Sequence, residues 1–149
     1  MELNIEFAKE VVKNIMEITT NFVNFIPQIS EFEEMSTTEL YIFLFIATND
    51  KTFNNEISKK LGVSKSTVSM SLKKLIENKL IETVEDEKDR RYTMIHLSEN
   101  GQKLFNKFLS SFQTILDGVY KSFGNEKIQK LNECFDSILE FSRIISKKQ

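Results

Sequence analysis

The sequence predicts a mainly α fold: about six helices with a small β-hairpin set between them. Three observations predict it. Apolar residues recur at spacings of three and four along most of the 149 residues, the period of helices that bury one face. Two short helical patterns meet at a tight Leu61-Gly62-Val63 corner. One stretch only, from Leu80 to Leu97, changes to alternation around a charged turn, the pattern of a hairpin.

Ile5, Ala8, Val11, Val12, Ile15, Ile18, Thr19, Phe22 and Ile26 mark a long amphipathic first helix that ends or kinks at Pro27. Ile29, Phe32 and Met35 form an irregular apolar connector. Ser36-Thr37-Thr38-Glu39 is a capping box, Ser36 the cap and Glu39 reaching back. The helix it opens runs to about Thr48 and is apolar on nearly every face, which makes it central and buried. Asn49-Asp50-Lys51 is a turn, and Thr52 is placed to add an edge strand to the hairpin. After the hairpin, Ser98 caps a long helix with Leu104, Phe105, Phe108, Leu109, Phe112, Ile115, Leu116, Val119 and Tyr120. Gly124-Asn125 breaks it. Ile128, Leu131, Phe135, Ile138, Leu139, Ser142 and Ile145 then form the stripe of a last helix, capped by Asn125.

The centre of the chain carries the functional signal. Ile57 and Leu61 face one way on a short helix. Gly62 stands just past its end, where a left-handed backbone suits a residue without Cβ. Ser64 is placed to cap the next helix, on which Val68, Leu72 and Leu75 form one apolar stripe. Helix, short turn, helix is the arrangement that seats a second helix in the DNA major groove. The exposed face of that second helix is Lys65, Ser66, Thr67, Ser69, Met70, Lys73 and Lys74, with Ser64 at its start. Short hydroxyls and a lysine lie at the end that approaches base edges, and the later lysines suit phosphates. Ser64 to Asn78 spans about 22 Å at ~1.5 Å per residue, enough to cross a groove ~12 Å wide. An ordinary solvent face would look similar on this helix alone.

The hairpin separates the two. Leu80-Ile81 starts one strand, Glu85-Asp86-Glu87-Lys88-Asp89-Arg90-Arg91 turns, and Thr93, Ile95 and Leu97 alternate with Tyr92, Met94 and His96 on the return. Arg90 and Arg91 stand near the tip of a chain whose other arginine is Arg143. A planar, weakly hydrated guanidinium suits a narrow minor groove better than an ammonium does.

The run LGVSKSTVSMSLKKLIENKLIE, followed by DEKDRRYTMIHLSENG, resembles the MarR family of bacterial winged helix-turn-helix regulators. Asp89-Arg90-Arg91 and then Ile95-His96-Leu97-Ser98-Glu99-Asn100-Gly101 match that family's wing signature, and the resemblance extends over the flanking helices. It implies a cytoplasmic homodimer that binds pseudo-palindromic double-stranded DNA, acting as a repressor. Lys65, Ser66, Thr67, Ser69 and Met70 would face bases, and Lys73 and Lys74 would hold phosphates. Arg91, steadied by Asp89, would enter the minor groove, with Arg90 on the DNA backbone or in a wing ion pair. Two positions depart from the pattern. Met70 replaces a residue that is usually basic. Lys79 replaces the glycine that usually ends the recognition helix, so Asn78 or Lys79 must take a left-handed turn at some cost.

Net charge is −2, but residues 51–97 hold ten basic groups against seven acidic ones, while the rest of the chain carries a surplus of five negative charges. The local sign matters, since fields decay within about 8 Å in physiological salt. Glu85-Asp86-Glu87 opposes it on the wing. No apolar run approaches the ~20 residues of a membrane span, and the N-terminus lacks the basic region of a secretory signal. A single cysteine, Cys134, fits a reducing compartment. Lysine, asparagine and isoleucine outweigh arginine and alanine, as in AT-rich genomes.

The terminal helices carry more apolar surface than a three-helix wing module covers. Residues 1–35 and 115–149 are therefore expected to form a helical dimerisation region, and residues 36–114 the winged helix-turn-helix. Phe22, Phe25, Tyr41, Phe45, Phe105 and Phe108 lie on elements expected to meet at the junction, together with Phe32 and Phe112. By resemblance this is where a small aromatic effector would bind and release DNA; core packing is the plainer role for such residues. His96, the single histidine, should face solvent on the wing and has no patterned metal partner, and Cys134, flanked by Glu133 and Phe135 beside the apolar stripe of the last helix, is a poor candidate for redox sensing. No paired carboxylates, nucleophile triad or phosphate-cradling loop is present, so neither an enzyme nor a cofactor is expected. The competing expectation is a winged-helix module that binds protein and does not read DNA, supported by Met70, the acidic wing and the negative total charge.

Overall fold

The computed structural model describes residues 4–25, 29–49, 52–85 and 93–146. They form α1 (Ile5–Phe25), α2 (Ser30–Glu33), α3 (Thr37–Ala47), β1 (Thr52–Phe53), α4 (Asn54–Leu61), α5 (Lys65–Glu77), β2 (Ile81–Glu85), β3 (Thr93–Leu97) and α6 (Glu99–Ser146). The chain divides into two compact units, Met1–Phe105 and Asn106–Gln149.

In the first unit α3 is the hub. Ser36 accepts the Glu39 N–H at 3.3 Å and Glu39 accepts the Ser36 N–H at 3.2 Å, so the expected capping box forms. Ile42, Phe43 and Ile46 of α3 are buried against Ile57 of α4 and Val68, Leu72 and Leu75 of α5. Ile81 and Ile95 from the sheet and Leu104 from the start of α6 complete this core. The connector before α3 is more ordered than its irregular apolar pattern implied. Residues 30–33 close one helical turn, and Ile29 and Phe32 are buried, Phe32 edge-on to Phe43 with centroids 5.9 Å apart.

Thr52 does supply an edge strand, so the hairpin is the larger part of a three-stranded antiparallel sheet ordered β1-β3-β2. Thr52 pairs with Ile95, and Ile81 to Glu85 pair with Leu97 back to Thr93. His96 is partly exposed, as alternation predicts, and also makes contacts across the sheet. It stands opposite Glu82, half-buried, with Nδ1 3.1 Å from the Glu82 carbonyl oxygen and Nε2 3.8 Å from its carboxylate. The cross-strand neighbour, which alternation alone does not identify, draws the ring along the sheet.

Ser98 joins the sheet to α6. Its N–H donates to the Leu80 carbonyl at 3.1 Å, its hydroxyl donates to the Lys79 carbonyl at 2.5 Å, and the same oxygen accepts the Gly101 N–H at 3.0 Å. Gly101 packs so closely here that a Cβ would sit 1.9 Å from the Leu80 oxygen. In the second unit the helical backbone is interrupted at Gly124 (φ 72°, ψ 172°), the predicted break, and the Tyr120 hydroxyl donates to the Asn125 side chain. Among the described residues no helix is long and apolar enough to cross a membrane.

Candidate nucleic-acid interface

The helix-turn-helix is fixed at each of its corners. Glu56 reaches back to accept the Phe53 N–H at 3.2 Å and so starts α4. Gly62 ends α4 in the left-handed region (φ 65°, ψ 27°). Ser64 starts α5 by accepting the Thr67 N–H at 3.0 Å. At the other end of α5 the Lys79 N–H donates to Ile76 and the Leu80 N–H to Leu75, at 2.8 and 2.9 Å. These paired bonds are a Schellman motif, which needs a left-handed residue just past the cap. Lys79 is that residue, with φ 57°, where the departure from glycine placed either it or Asn78.

With ~3.6 residues per turn, positions spaced by four and three share one line of a helix. Val68, Ser71, Leu72 and Leu75 are the buried side of α5. Directly opposite lies the line Ser66, Met70, Lys73 and Glu77, all exposed. Met70 is 66% exposed, a large apolar side chain in the middle of a polar face. Lys73 lies 3.8 Å from Glu77, a loose and exposed pair that screens easily. Lys65 and Ser69 are exposed on one flank, while Thr67 and Lys74 lie on the other, toward α3.

The hydroxyl group at the start of α5 is committed to structure as well as to the outer face. Ser64 Oγ lies 2.8 Å from Ser66 Oγ and 2.7 Å from Thr67 Oγ1, and Thr67 is half-buried. Lys74 is the larger departure from a plain surface role. Its Nζ donates to Glu39 Oε1 at 2.9 Å, and the Glu39 side chain is only 9% exposed. Burial alone would raise the Glu39 carboxyl. Hydrogen bonds from Lys74 and Ser36, with the lysine's charge, outweigh it and hold the group below the usual carboxylate range. No local pattern announces this pair, because its members lie 35 residues apart. Glu39 is recognisable in the sequence only as a cap.

Asp89, Arg90 and Arg91 lie outside the described residues, as do the side chains of Phe22 and Phe25. Of the other aromatic residues, Tyr41 is 43% exposed and Phe45 and Phe105 are half-buried in the first unit. Phe108 belongs to the second unit, where it stacks on Phe112 at 6.0 Å. Cys134 is exposed. Among the described residues no cluster of three His, Cys, Asp or Glu side chains could hold a metal ion.

Comparison with known proteins agrees with this geometry. Residues 34–91 match the model of the MarR family. The chain is similar to a MarR-like transcriptional regulator from Thermotoga maritima, with 30% identity, a TM-score of 0.74, and coverage of 91% of this chain and 96% of that one. It shares its fold with Streptococcus pneumoniae FabT, crystallised in complex with DNA, at 19% identity and a TM-score of 0.75 over 93% of this chain and 99% of that one. It is also 32% identical to the HTH-type transcriptional regulator YsmB of Bacillus subtilis over 73 residues, 49% of this chain and half the length of that relative.

Proposed function

Because the chain belongs to the MarR family of helix-turn-helix transcriptional regulators, we propose that it is a cytoplasmic, DNA-binding repressor acting as a homodimer on pseudo-palindromic DNA. The observation that carries this is the outer line of α5. A helix capped at both ends presents Ser66, Met70 and Lys73 to solvent, flanked by Lys65 and Ser69. Inserted in the major groove, Lys65, Ser66 and Ser69 offer hydrogen-bonding groups to base edges and Met70 offers an apolar contact to a thymine methyl. Ser64 and Thr67 set the first turn that carries them. Lys73 is the phosphate contact of the outer line. Arg91, held by Asp89, enters the minor groove, with Arg90 on the backbone. FabT, which shares this fold, was crystallised in complex with DNA, which supports DNA as the partner.

Dimerisation is supported by the apolar surface that a single chain leaves in water. Val12, Ile15, Met16 and Ile18 of α1 are exposed, as are Phe135, Ile138 and Leu139 of α6. Patches of this extent mark protein contacts. A small aromatic effector, binding near Tyr41, Phe45 and Phe105, would release DNA by favouring a different spacing of the two recognition helices.

A gel shift of the full chain with DNA from upstream of its own coding region tests the proposal. A retarded complex that weakens steeply with salt is expected. No retardation even at low salt would favour the protein-binding module instead.

A further inference from the structure

We propose that Lys74 works as a positioning residue, locking the recognition helix to α3 through Glu39, and does not hold a DNA phosphate. This rests on the DNA-binding function proposed above. Two observations carry it. Lys74 lies off the outer line of α5, on the flank turned toward α3, whereas Lys73 lies on that line between Met70 and Glu77. Its ammonium is also already engaged, at 2.9 Å from a carboxylate that is almost fully out of water.

The energetics keep it there. If Lys74 swung out to a phosphate, Glu39 would keep, among the described residues, only the uncharged donors of Ser36, its backbone N–H and its hydroxyl, and no cation. A buried anion stripped of its cation is costly, and an arriving polyanion would raise that cost. The same carboxylate closes the capping box of α3. Glu39 thus ties the first turn of the central helix to the last turn of the reading helix, and α5 keeps one orientation against the core. This is an assignment that residue type alone reverses, since a lysine on a reading helix looks like a phosphate contact.

The test uses the full chain and a duplex enriched from a random pool by the wild-type protein, with affinity measured against NaCl concentration. Lys73→Gln should flatten the logarithmic salt slope by about 0.9, the loss of one phosphate contact. Lys74→Gln should weaken binding by roughly fivefold and leave the slope unchanged. Glu39→Gln, which keeps a capping side chain, should weaken binding to a similar extent, and the double variant should lose little more than either single one. A Lys74 that held phosphate would give the opposite: Lys74→Gln would flatten the slope, and Glu39→Gln would tighten binding by freeing the cation. A purely structural pair would lower the melting temperature of both variants and leave affinity intact, which also overturns the proposal. If the wild type enriches no duplex at all, it is the DNA-binding function that fails.

Discussion

Met70 is the residue on which base preference should turn. It is the most exposed large apolar side chain of the reading helix, and it cannot accept or donate a useful hydrogen bond to a base. Its contribution must come from apolar contact, and the thymine methyl is the apolar group of the major groove. Replacing thymine by uracil in the enriched duplex should weaken wild-type binding by about 1 kcal/mol at the contacted position. Met70→Ala should bind both duplexes alike, and an equal uracil penalty in that variant would assign the methyl contact elsewhere. Lys79 makes a prediction about stability. A left-handed residue with a Cβ costs about 1–2 kcal/mol, so Lys79→Gly should raise stability by roughly 0.5–1 kcal/mol in urea titration. Both residues were legible in the sequence as departures from a family pattern. Glu39–Lys74 was not, because an ion pair between distant segments leaves no local signature.

At the level of elements, local rules went far. Ser36 and Glu39 as a box, Gly62 as a left-handed stop, Ser64 and Ser98 as caps, and Gly124 as a break all follow from chemistry within a few residues. The short α2 and the bonding of His96 were obscure, since the first depends on Phe32 finding Phe43 and the second on the register with Glu82. Gly101 shows why a glycine ends the wing signature: the first turn of α6 sits directly on the Leu80 carbonyl. Gly101→Ala must push the helix off the sheet and should cost about 1–3 kcal/mol in thermal or denaturant unfolding. The α3–α5 tie has a pH signature as well. Glu39 has a folded value below its ordinary 4.5. Its contribution is therefore complete above that value and lost as pH falls through the folded one. With Lys74 more than half exposed, the pair is worth on the order of 1 kcal/mol. Wild type and Glu39→Gln should differ in melting temperature at pH 7 and converge in acid.

For the whole molecule, composition was a poor guide and distribution a good one. A net charge of −2 hides a positive centre, and an ordinary hydrophobic content hides two exposed apolar stripes, on α1 and on the second unit. The sequence read these stripes as surface in search of a partner; which partner depends on a second chain, and no property of one chain encodes its symmetry operator. The proposed function needs two copies, because one reading helix covers too few base pairs for useful selectivity, and two on one face of the duplex must lie about 34 Å apart. Hydroxyl-radical footprinting of the enriched duplex, at protein concentrations that also fix the stoichiometry, tests this most directly. Two chains per duplex should protect two patches on one face, one helical turn apart and related by a two-fold axis. A single protected patch with one chain per duplex would contradict it.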